Sequence, residues 1–445
     1  MDQEIVSKMR EDWNGRASED AHYYVAFGRR DQDEEEFYAT GKEMVAGLKV
    51  EMKRLGHCAN PRARRALEIG CGPGRLLKPM SELFGEIHGV DISNQMIDLA
   101  RQRLAAIPHA HVHVATNSDL AAFADESFDL VYSYAVFQHI PSREVVMNYL
   151  REARRVLKTG GLLRCQMNGL PEHMARYDTW SGVRIPSSEM EAFCRESDMQ
   201  LVALEGRNTQ YMWVSAIKHP KGWYETNACP EIQPAIRRVT NAASSEPVAP
   251  SHGRFASLSL WIENLPQIAD LLDFEVTVGG ARATTTYIGT PERDGLVQVN
   301  VQLPMDVSTG LQPVMLGWRG EPWGRPGVIR IIPPPPLVGR MISLSDGIDL
   351  MSGTRIVTRS VKLTIEEVLH PEEFGAEISG HFINDFDRFC TDPVPPRFEV
   401  NFRIPEEVSD GEHNLQLWAG TRDLGTVKVV ICAPTYDPLS TPSLP

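Results

Sequence analysis

The sequence predicts an α/β domain followed by all-β structure, with the change near residue 220. Before that point, short apolar runs alternate with segments of helical period, a pattern typical of β-α-β units and a parallel sheet covered on both faces. After it, the segments alternate in the manner of strands, with almost no helical period. Two stretches of this second part also repeat each other.

The first part contains eight predicted elements. In chain order they are strand 66–70, helix 75–84, strand 86–90, helix 94–106, strand 111–115, strand 128–133, helix 143–157 and strand 162–167. Helix 143–157 has the clearest apolar stripe, with Ser142 as its N-cap and "TGG" closing it. Pro79 lies inside the first predicted helix, so we expect that helix to start late or to bend there.

The second part contains an internal repeat. The stretches 297–318 and 398–419 align without a gap at an offset of 101 residues. Short strands at this spacing bury their inward faces by pairing two sheets, so the repeat predicts two β-sandwiches, at 235–337 and 338–437. The predicted linker is 221–234, the "PPPP" run at 333–336 is a stiff joint, and 438–445 is a tail.

Composition excludes several classes of protein. The 445 residues are 42% hydrophobic and 23% charged, which indicates a globular chain, and the formal charge of -14 argues against a nucleic-acid surface. No apolar stretch is long enough to span a membrane and the first residues are acidic, so we expect a cytoplasmic protein with no membrane partner. The seven scattered cysteines form no C-x-x-C pair, and neither a disulfide framework nor any metal is expected.

The stretch "LEIGCGPGRLL" at 67–77 points to a ligand. A strand that ends at Ile69, followed by three closely spaced glycines and a helix, lets the backbone approach a ligand where any Cβ would collide. The helix start adds unpaired N–H groups. This shape suits a dinucleotide pyrophosphate or the amino-acid portion of S-adenosylmethionine. A dinucleotide fingerprint requires glycine or alanine where Arg75 stands.

The G-x-G-x-G stretch after Glu68 resembles the first motif of class I S-adenosylmethionine-dependent methyltransferases. Three later landmarks stand at the spacings of this family: Asp91 in "HGVDIS", the stretch "TNSDLAAFADESFDLV" and the stretch "EARRVLKTGGLL". In the second of these, Asn117 takes the position where the family usually has a carboxylate. The resemblance covers about 40–219 and implies a Rossmann-like domain at 41–220, with a seven-stranded, mostly parallel sheet whose sixth and seventh strands are antiparallel. The implied cofactor is S-adenosyl-L-methionine, with S-adenosyl-L-homocysteine as product. Its implied contacts are Glu68, Gly70, Gly72, Gly74, Asp91, Ile92, Asn117, Ser118 and Tyr134.

His139 in "YSYAVFQHIPS" is the candidate general base. It resembles the histidine that methyltransferases acting on phosphoethanolamine pair with an N-terminal tyrosine, so Tyr23 and Tyr24 are the other catalytic candidates. In many relatives a histidine at this place only packs or anchors a loop, and that reading stays open.

Two further segments are predicted to contact the substrate. Residues 1–40 are predicted as a helical lid in which Trp13 and Phe27 face the acceptor, although such aromatics can instead fix helices to the core. The loop after the fifth strand supplies Asn168, Tyr177 and Trp180 as the acceptor wall.

The sequence therefore predicts methyl transfer to an oxygen or nitrogen of a small-molecule or peptide acceptor. No N/D-P-P-Y/F element follows the fourth strand, which disfavours methylation of bases in nucleic acid. The sandwiches resemble bacterial IPT/TIG immunoglobulin-like modules and are expected to serve dimerisation or substrate presentation. An alternative is a regulatory or inactive cofactor-binding protein whose sandwiches bind a protein or glycan. A third possibility, a dehydrogenase-like function, requires the glycine turn to bind a pyrophosphate, which Arg75 disfavours.

Overall fold

The computed structural model describes residues 2–26, 32–56, 61–171, 177–348, 350 and 353–433. The chain divides into two compact units. The first contains the residues up to Asn14 and Lys42–Pro335, and the second contains Gly15–Gly41 and the residues from Pro336 onward. None of the helices in the described residues has the length and apolar character needed to cross a membrane.

A seven-stranded sheet forms the α/β part of the first unit. Its strands are β1 Arg65–Ile69, β2 Glu86–Asp91, β3 Ala110–Val114, β4 Phe128–Ser133, β5 Leu157–Met167, β6 Met199–Glu205 and β7 Met212–Lys218. Their order is β3-β2-β1-β4-β5-β7-β6. β7 is antiparallel to both of its neighbours, β5 and β6. β6 therefore runs in the direction of β5, and the prediction of two antiparallel strands is wrong for the sixth.

The helices agree in outline with the sequence pattern. They are α1 Asp2–Ala26, α2 Glu34–Ala39, α3 Lys42–Glu51, α4 Leu77–Ser81, α5 Asn94–Leu104, α6 Arg143–Val156, α7 Ser187–Glu196 and α8 Trp223–Thr226. α4 starts late, which places Pro79 in its first turn, where no N–H is needed. Ser142 caps α6 as predicted. The "TGG" stretch does not close α6, because Leu157 is already extended and the stretch belongs to β5.

The rest of the described chain is rich in β-strands. In the first unit these are β8 Ala235–Asn241, β9 Val248–Pro250, β10 Ser257–Glu263, β11 Phe274–Val278, β12 Ala281–Ile288, β13 Val297–Gln302, β14 Gly310–Trp318, β15 Glu321–Pro322 and β16 Gly327–Ile332. In the second unit they are β17 Arg340–Asp346, β18 Arg355–Ile356, β19 Ser360–Glu366, β20 Phe374–Ile378, β21 His381–Ile383, β22 Asp387–Asp392, β23 Arg397–Arg403, β24 Gly411–Ala419 and β25 Arg422–Ile431.

The repeat in the sequence corresponds to equivalent strands. β14 and β24 are both nine residues long and begin at Gly310 and Gly411, the offset that the alignment gave. In the second unit, a four-stranded sheet (β17-β19-β23-β22) and a five-stranded sheet (β18-β25-β24-β20-β21) contribute to one hydrophobic core. This arrangement is consistent with the predicted sandwich.

Within the first unit, the β-rich part joins the edge of the seven-stranded sheet. Tyr287 on β12 pairs with Ala203 on β6. The backbone N–H of Leu271 donates to the carbonyl of Leu201 at 2.8 Å. The side-chain amide of the buried Gln200 donates to the backbone carbonyls of Gln267 and Ala269. The edge strand β6 is therefore covered, which removes a row of unpaired backbone groups from solvent.

Buried carboxylates strengthen this junction. Asp273 is 2% exposed and accepts from Arg195 on α7 at 3.0 Å and from Arg319, after β14, at 2.6 Å. Asp270, fully buried, accepts from the hydroxyl of Tyr224, which lies on α8 in the predicted linker 221–234. Charge-assisted bonds of this kind hold the two parts of the unit in one arrangement.

We expect Asp273→Ala to lower the free energy of unfolding by about 2–3 kcal/mol, since hydrogen bonds to charged groups contribute about 1.5–3 kcal/mol each. Urea unfolding of the full chain measures this. The matched control is Asp306→Ala, an exposed position where a change within about 0.5 kcal/mol is expected. Equal effects of the two substitutions would contradict the role of Asp273 in the junction.

Candidate cofactor site

The turn between β1 and α4 is held against the end of β2. The backbone N–H groups of Gly70 and Cys71 both donate to the carbonyl of Val90, at 2.8 and 3.0 Å. The N–H of Gly72 donates to Asp91 Oδ2 at 2.9 Å. Gly70, Gly72 and Gly74 have φ values of 72°, 51° and 87°, in the left-handed region that favours glycine. The predicted glycine turn is thus present and fixed by hydrogen bonds.

Gly70 is also required for space. A Cβ on this residue would overlap the side chain of Val136, which follows β4. The turn and the loop after β4 are therefore in contact at the carboxyl edge of the sheet, where open α/β folds bind their ligands.

Asp91 ends β2 and keeps capacity to bind a ligand. Its Oδ1 accepts from the N–H of Ser93 at 2.8 Å and its Oδ2 accepts from Gly72. Burial raises the pKa of this carboxyl, while the backbone hydrogen bonds oppose the shift. An ionised carboxylate has about four acceptor positions, and the backbone hydrogen bonds of Ser93, Gly72 and Ile92 leave part of this capacity for hydroxyl groups. Ser93 itself caps α5, so Asp91 is not needed as that cap.

Glu68 lies beneath the turn in a buried position. Its Oε2 accepts from the hydroxyl of Tyr132 on the neighbouring β4 at 3.0 Å. Burial raises the pKa of Glu68 to about 8, although Tyr132 and the charge of Arg75 act in the opposite direction. Arg75 is also buried, and its guanidinium lies 5.3 Å from the ring centre of Tyr134. Glu68 and Arg75 are thus two buried ionisable side chains on either side of the glycine turn in the sequence.

The other predicted cofactor contacts lie after β2 and β3. Ile92 is 8% exposed. Asn117 is exposed; its side chain lies 3.4 Å from Asp119, and its carbonyl accepts from Tyr149 at 3.4 Å. Ser118 accepts from Asn148 through both its carbonyl and its hydroxyl.

The first part of α1 lies over this edge of the sheet. The Arg10 guanidinium donates to the carbonyls of Ile92, Ala115 and Thr116, at 3.3, 3.1 and 2.8 Å. Asn14 Oδ1 accepts from the hydroxyl of Ser93 at 2.7 Å. Sequence reasoning missed both polar residues, because no motif marks contacts 79 to 106 positions apart along the chain.

The same helix contacts the predicted base. The ring of Trp13 meets His139 edge to face at 5.7 Å, and Asp12 accepts from the buried Thr179 at 2.6 Å. His139 is buried in a 3-10 helix, Phe137–His139, directly after β4. Its Nδ1 lies 2.9 Å from the carbonyl of Trp180. Since a carbonyl only accepts, Nδ1 carries the proton and Nε2 has the lone pair that a general base requires. This Nε2 lies 3.4 Å from the amide nitrogen of Gln138.

The loop after β5 meets the same histidine. Trp180 is 48% exposed and its ring centre lies 6.3 Å from that of His139. The hydroxyl of Tyr177 and the Oε1 of Gln138 are buried without a hydrogen-bond partner among the described residues, which is costly unless a ligand or water satisfies them. Asn168 instead shapes its own loop, because its Oδ1 accepts from the N–H of Leu170.

Three predicted residues lie outside the described part of the first unit. Tyr23 and Tyr24 belong to the second unit, where the Tyr24 hydroxyl donates to Glu19 at 2.8 Å. Their catalytic role stays a prediction. Phe27 lies outside the described residues.

Comparison with known proteins agrees with this geometry. The family described as "Methyltransferase domain" matches residues 67–165, from the glycine turn to β5. This part of the chain is therefore similar to methyltransferase domains. The ubiquinone biosynthesis O-methyltransferase of Roseobacter denitrificans is 32% identical over 162 residues, which are 32% of this chain and 62% of that protein. The trans-aconitate 2-methyltransferase of Rhizobium rhizogenes is 32% identical over 108 residues, 24% of this chain and 39% of that protein.

The methyltransferase likeness is limited to part of each protein. The chain spans about half the length of these curated relatives. Among solved structures, Haemonchus contortus phosphoethanolamine N-methyltransferase 1, in complex with phosphoethanolamine and S-adenosylhomocysteine, matches 50% of this chain and 51% of that chain, with 13% identity and a TM-score of 0.37.

We expect Gly70→Ala to lower the free energy of unfolding by more than about 2 kcal/mol, since a left-handed residue with a Cβ costs roughly 1–2 kcal/mol before any overlap with Val136 is counted. The matched control is Gly47→Ala in α3, where a Cβ meets no atom within 4 Å and a gain of about 0.5–1 kcal/mol is expected. Denaturant unfolding compares them. A neutral Gly70→Ala variant would contradict the tight turn.

The Glu68 pKa predicts a pH dependence of stability. The folded pKa of about 8 lies above the usual value of 4.5, so between these values the folded state holds a proton that the unfolded state has lost. Stability conferred by the protonated group therefore falls as pH rises through this window, by up to about 1.4 kcal/mol per pH unit. Glu68→Gln should remove this slope in urea titrations between pH 5 and 8. Parallel slopes for both proteins would contradict it.

Proposed function

We propose that the protein transfers a methyl group from S-adenosyl-L-methionine to an oxygen or nitrogen of a small-molecule or peptide acceptor. The observation that carries the proposal is the pairing of the glycine turn with Asp91, in which backbone N–H groups and a carboxylate meet at the carboxyl edge of the parallel sheet. The match of 67–165 to the methyltransferase domain family supports it.

The described residues fit this cofactor. The three left-handed glycines leave the backbone of the turn without side chains, as close approach of a ligand requires. Asp91 would accept the ribose hydroxyls, and the segment 116–118 would lie beside the adenine. When bound, the cofactor supplies an electrophilic methyl group on sulfur.

The contribution of the chain itself is positioning and proton acceptance. The tautomer fixed by Trp180 leaves the Nε2 of His139 able to take a proton from an acceptor hydroxyl or ammonium group. Trp13 and Trp180 flank this imidazole and restrict access of water. The buried hydroxyl of Tyr177 and the Oε1 of Gln138 offer one donor and one acceptor for a polar acceptor molecule.

The β-rich regions are proposed to be immunoglobulin-like sandwiches of the IPT/TIG type. The first is joined to the sheet edge at β6 and would keep the catalytic domain folded. The second, in a unit of its own, would serve assembly or presentation of the acceptor.

The cofactor proposal predicts the effect of Asp91→Asn. This substitution removes the negative charge that would receive the ribose hydroxyls, and charge-assisted hydrogen bonds contribute about 1.5–3 kcal/mol, so the affinity for S-adenosylmethionine should fall by about tenfold to a hundredfold in calorimetric titration. The control is Asp98→Asn on α5, an exposed residue paired with Arg101, which should bind as the wild type does. Equal affinities for all three proteins would contradict the assignment of Asp91.

The base is tested separately with His139→Gln. We expect unchanged cofactor affinity and a loss of turnover of about a hundredfold or more with acceptors that must lose a proton. Screening oxygen and nitrogen acceptors with radiolabelled cofactor provides the assay. Cofactor binding without transfer to any acceptor would favour the regulatory alternative.

A further inference from the structure

A cluster of histidines lies on the outer strands of the seven-stranded sheet, separate from the glycine turn. "EIHGVD" in β2 and "AHVHV" in β3 each place polar side chains at alternate positions, so that Glu86, His88, His111 and His113 share one face. The parallel register pairs His88 with His111. Alternation of this kind brings side chains from two strands together although neither strand contains a recognisable metal motif.

We propose that Glu86, His88 and His111 form a binding site for a transition-metal dication such as Zn²⁺. One ligand atom from each residue lies within 4.8 Å of the other two. Two imidazole nitrogens and a carboxylate oxygen are a ligand set that Zn²⁺, Co²⁺ and Ni²⁺ prefer over Mg²⁺ or Ca²⁺. His111 is exposed, so the ion has a path from solvent.

The geometry requires only small movements. Ligand atoms on a common Zn²⁺ lie roughly 3.4 Å apart, because each is about 2.1 Å from the ion. The Nε2 of His88 and the Oε1 of Glu86 are 2.6 Å apart and would separate slightly. The exposed ring of His111 would rotate inward, and a water molecule would complete the coordination.

The third histidine of the cluster, His113, is placed to orient His88. The Nδ1 of His88 lies 3.1 Å from the Nε2 of His113, and the two rings are stacked. A metal-bound histidine usually donates its second ring N–H to a nearby acceptor, which fixes the ring. His113 is positioned to accept that proton when the Nε2 of His88 binds the ion.

One neighbouring charge opposes the ion. The Arg65 guanidinium donates to the same Oε1 of Glu86 at 2.9 Å and lies 3.3 Å from the Nε2 of His88. A metal ion would displace it from Glu86, while its contacts with the carbonyl of Ser127 and the ring of Phe128 remain available. Arg65 therefore weakens the site, and its removal should strengthen binding.

The site would fasten the edge of the sheet. β3 is the terminal strand in the sheet order, and a shared ion would cross-link it to β2, the strand that ends at Asp91. The ion would act on strand pairing rather than on the methyl-transfer chemistry proposed above.

The test is titration of the full chain, without any histidine tag, with Zn²⁺ by calorimetry and with Co²⁺ by visible absorption. We expect one ion per chain, and losses of affinity of more than about tenfold for His111→Ala and for Glu86→Gln, since even loss of an outer-shell partner costs about tenfold to a hundredfold. Arg65→Gln should bind more tightly than the wild type. His370→Ala, which removes an exposed histidine that pairs with Glu372, should bind as the wild type does.

The contradicting results are equally specific. Wild-type affinity in both His111→Ala and Glu86→Gln would overturn the site, as would absence of a Zn²⁺ signal with the wild type. A thiolate charge-transfer band in the Co²⁺ spectrum would also overturn it, by assigning the ion to cysteine. Circular dichroism of each variant checks that these substitutions, at two exposed and two half-buried positions, leave the fold intact.

Discussion

The hydrogen bond between the Gly72 N–H and the Asp91 carboxylate is the contact on which the rest of the site depends. It joins the turn after β1 to the end of β2, and the Gly70 and Cys71 N–H groups reinforce it at the carbonyl of Val90. Left-handed glycines make the turn narrow enough for this contact, and Glu68 and Arg75, which flank the turn in the sequence, are both buried. A carboxylate held in this way has a defined direction, as ligand binding requires.

The edges of the sheet show why the chain needs more than a minimal α/β domain. At one edge, β6 is covered by the β-rich region of the same unit through backbone pairing and the buried Gln200. At the other edge, β3 carries the histidine cluster that faces β2. Uncovered edges promote association with other chains, so the covering of β6 protects the sheet on which the site is built.

Local patterns predicted the parts of the structure that depend on local chemistry. The strand pattern, the cap at Ser142, the glycine turn and the position of Asp91 all follow from residues close in sequence. The end of α6 did not, because the glycines after Leu157 extend a strand instead of closing a helix. The contacts of Arg10 were also missed, since partners more than 80 residues away leave no signal in a single sequence. The direction of β6 was missed because the sequence does not show that β7 lies between β5 and β6.

Hydrogen–deuterium exchange of the full chain, with and without S-adenosylhomocysteine, tests the central claim most directly. The account predicts slower exchange in peptides covering 67–77 and 86–93, because a ligand at the turn stabilises the Gly72 and Ser93 amides, and in the peptide covering 2–14, whose Arg10 and Asn14 hold the same edge. Unchanged exchange across 67–77 and 86–93 at saturating ligand would contradict it.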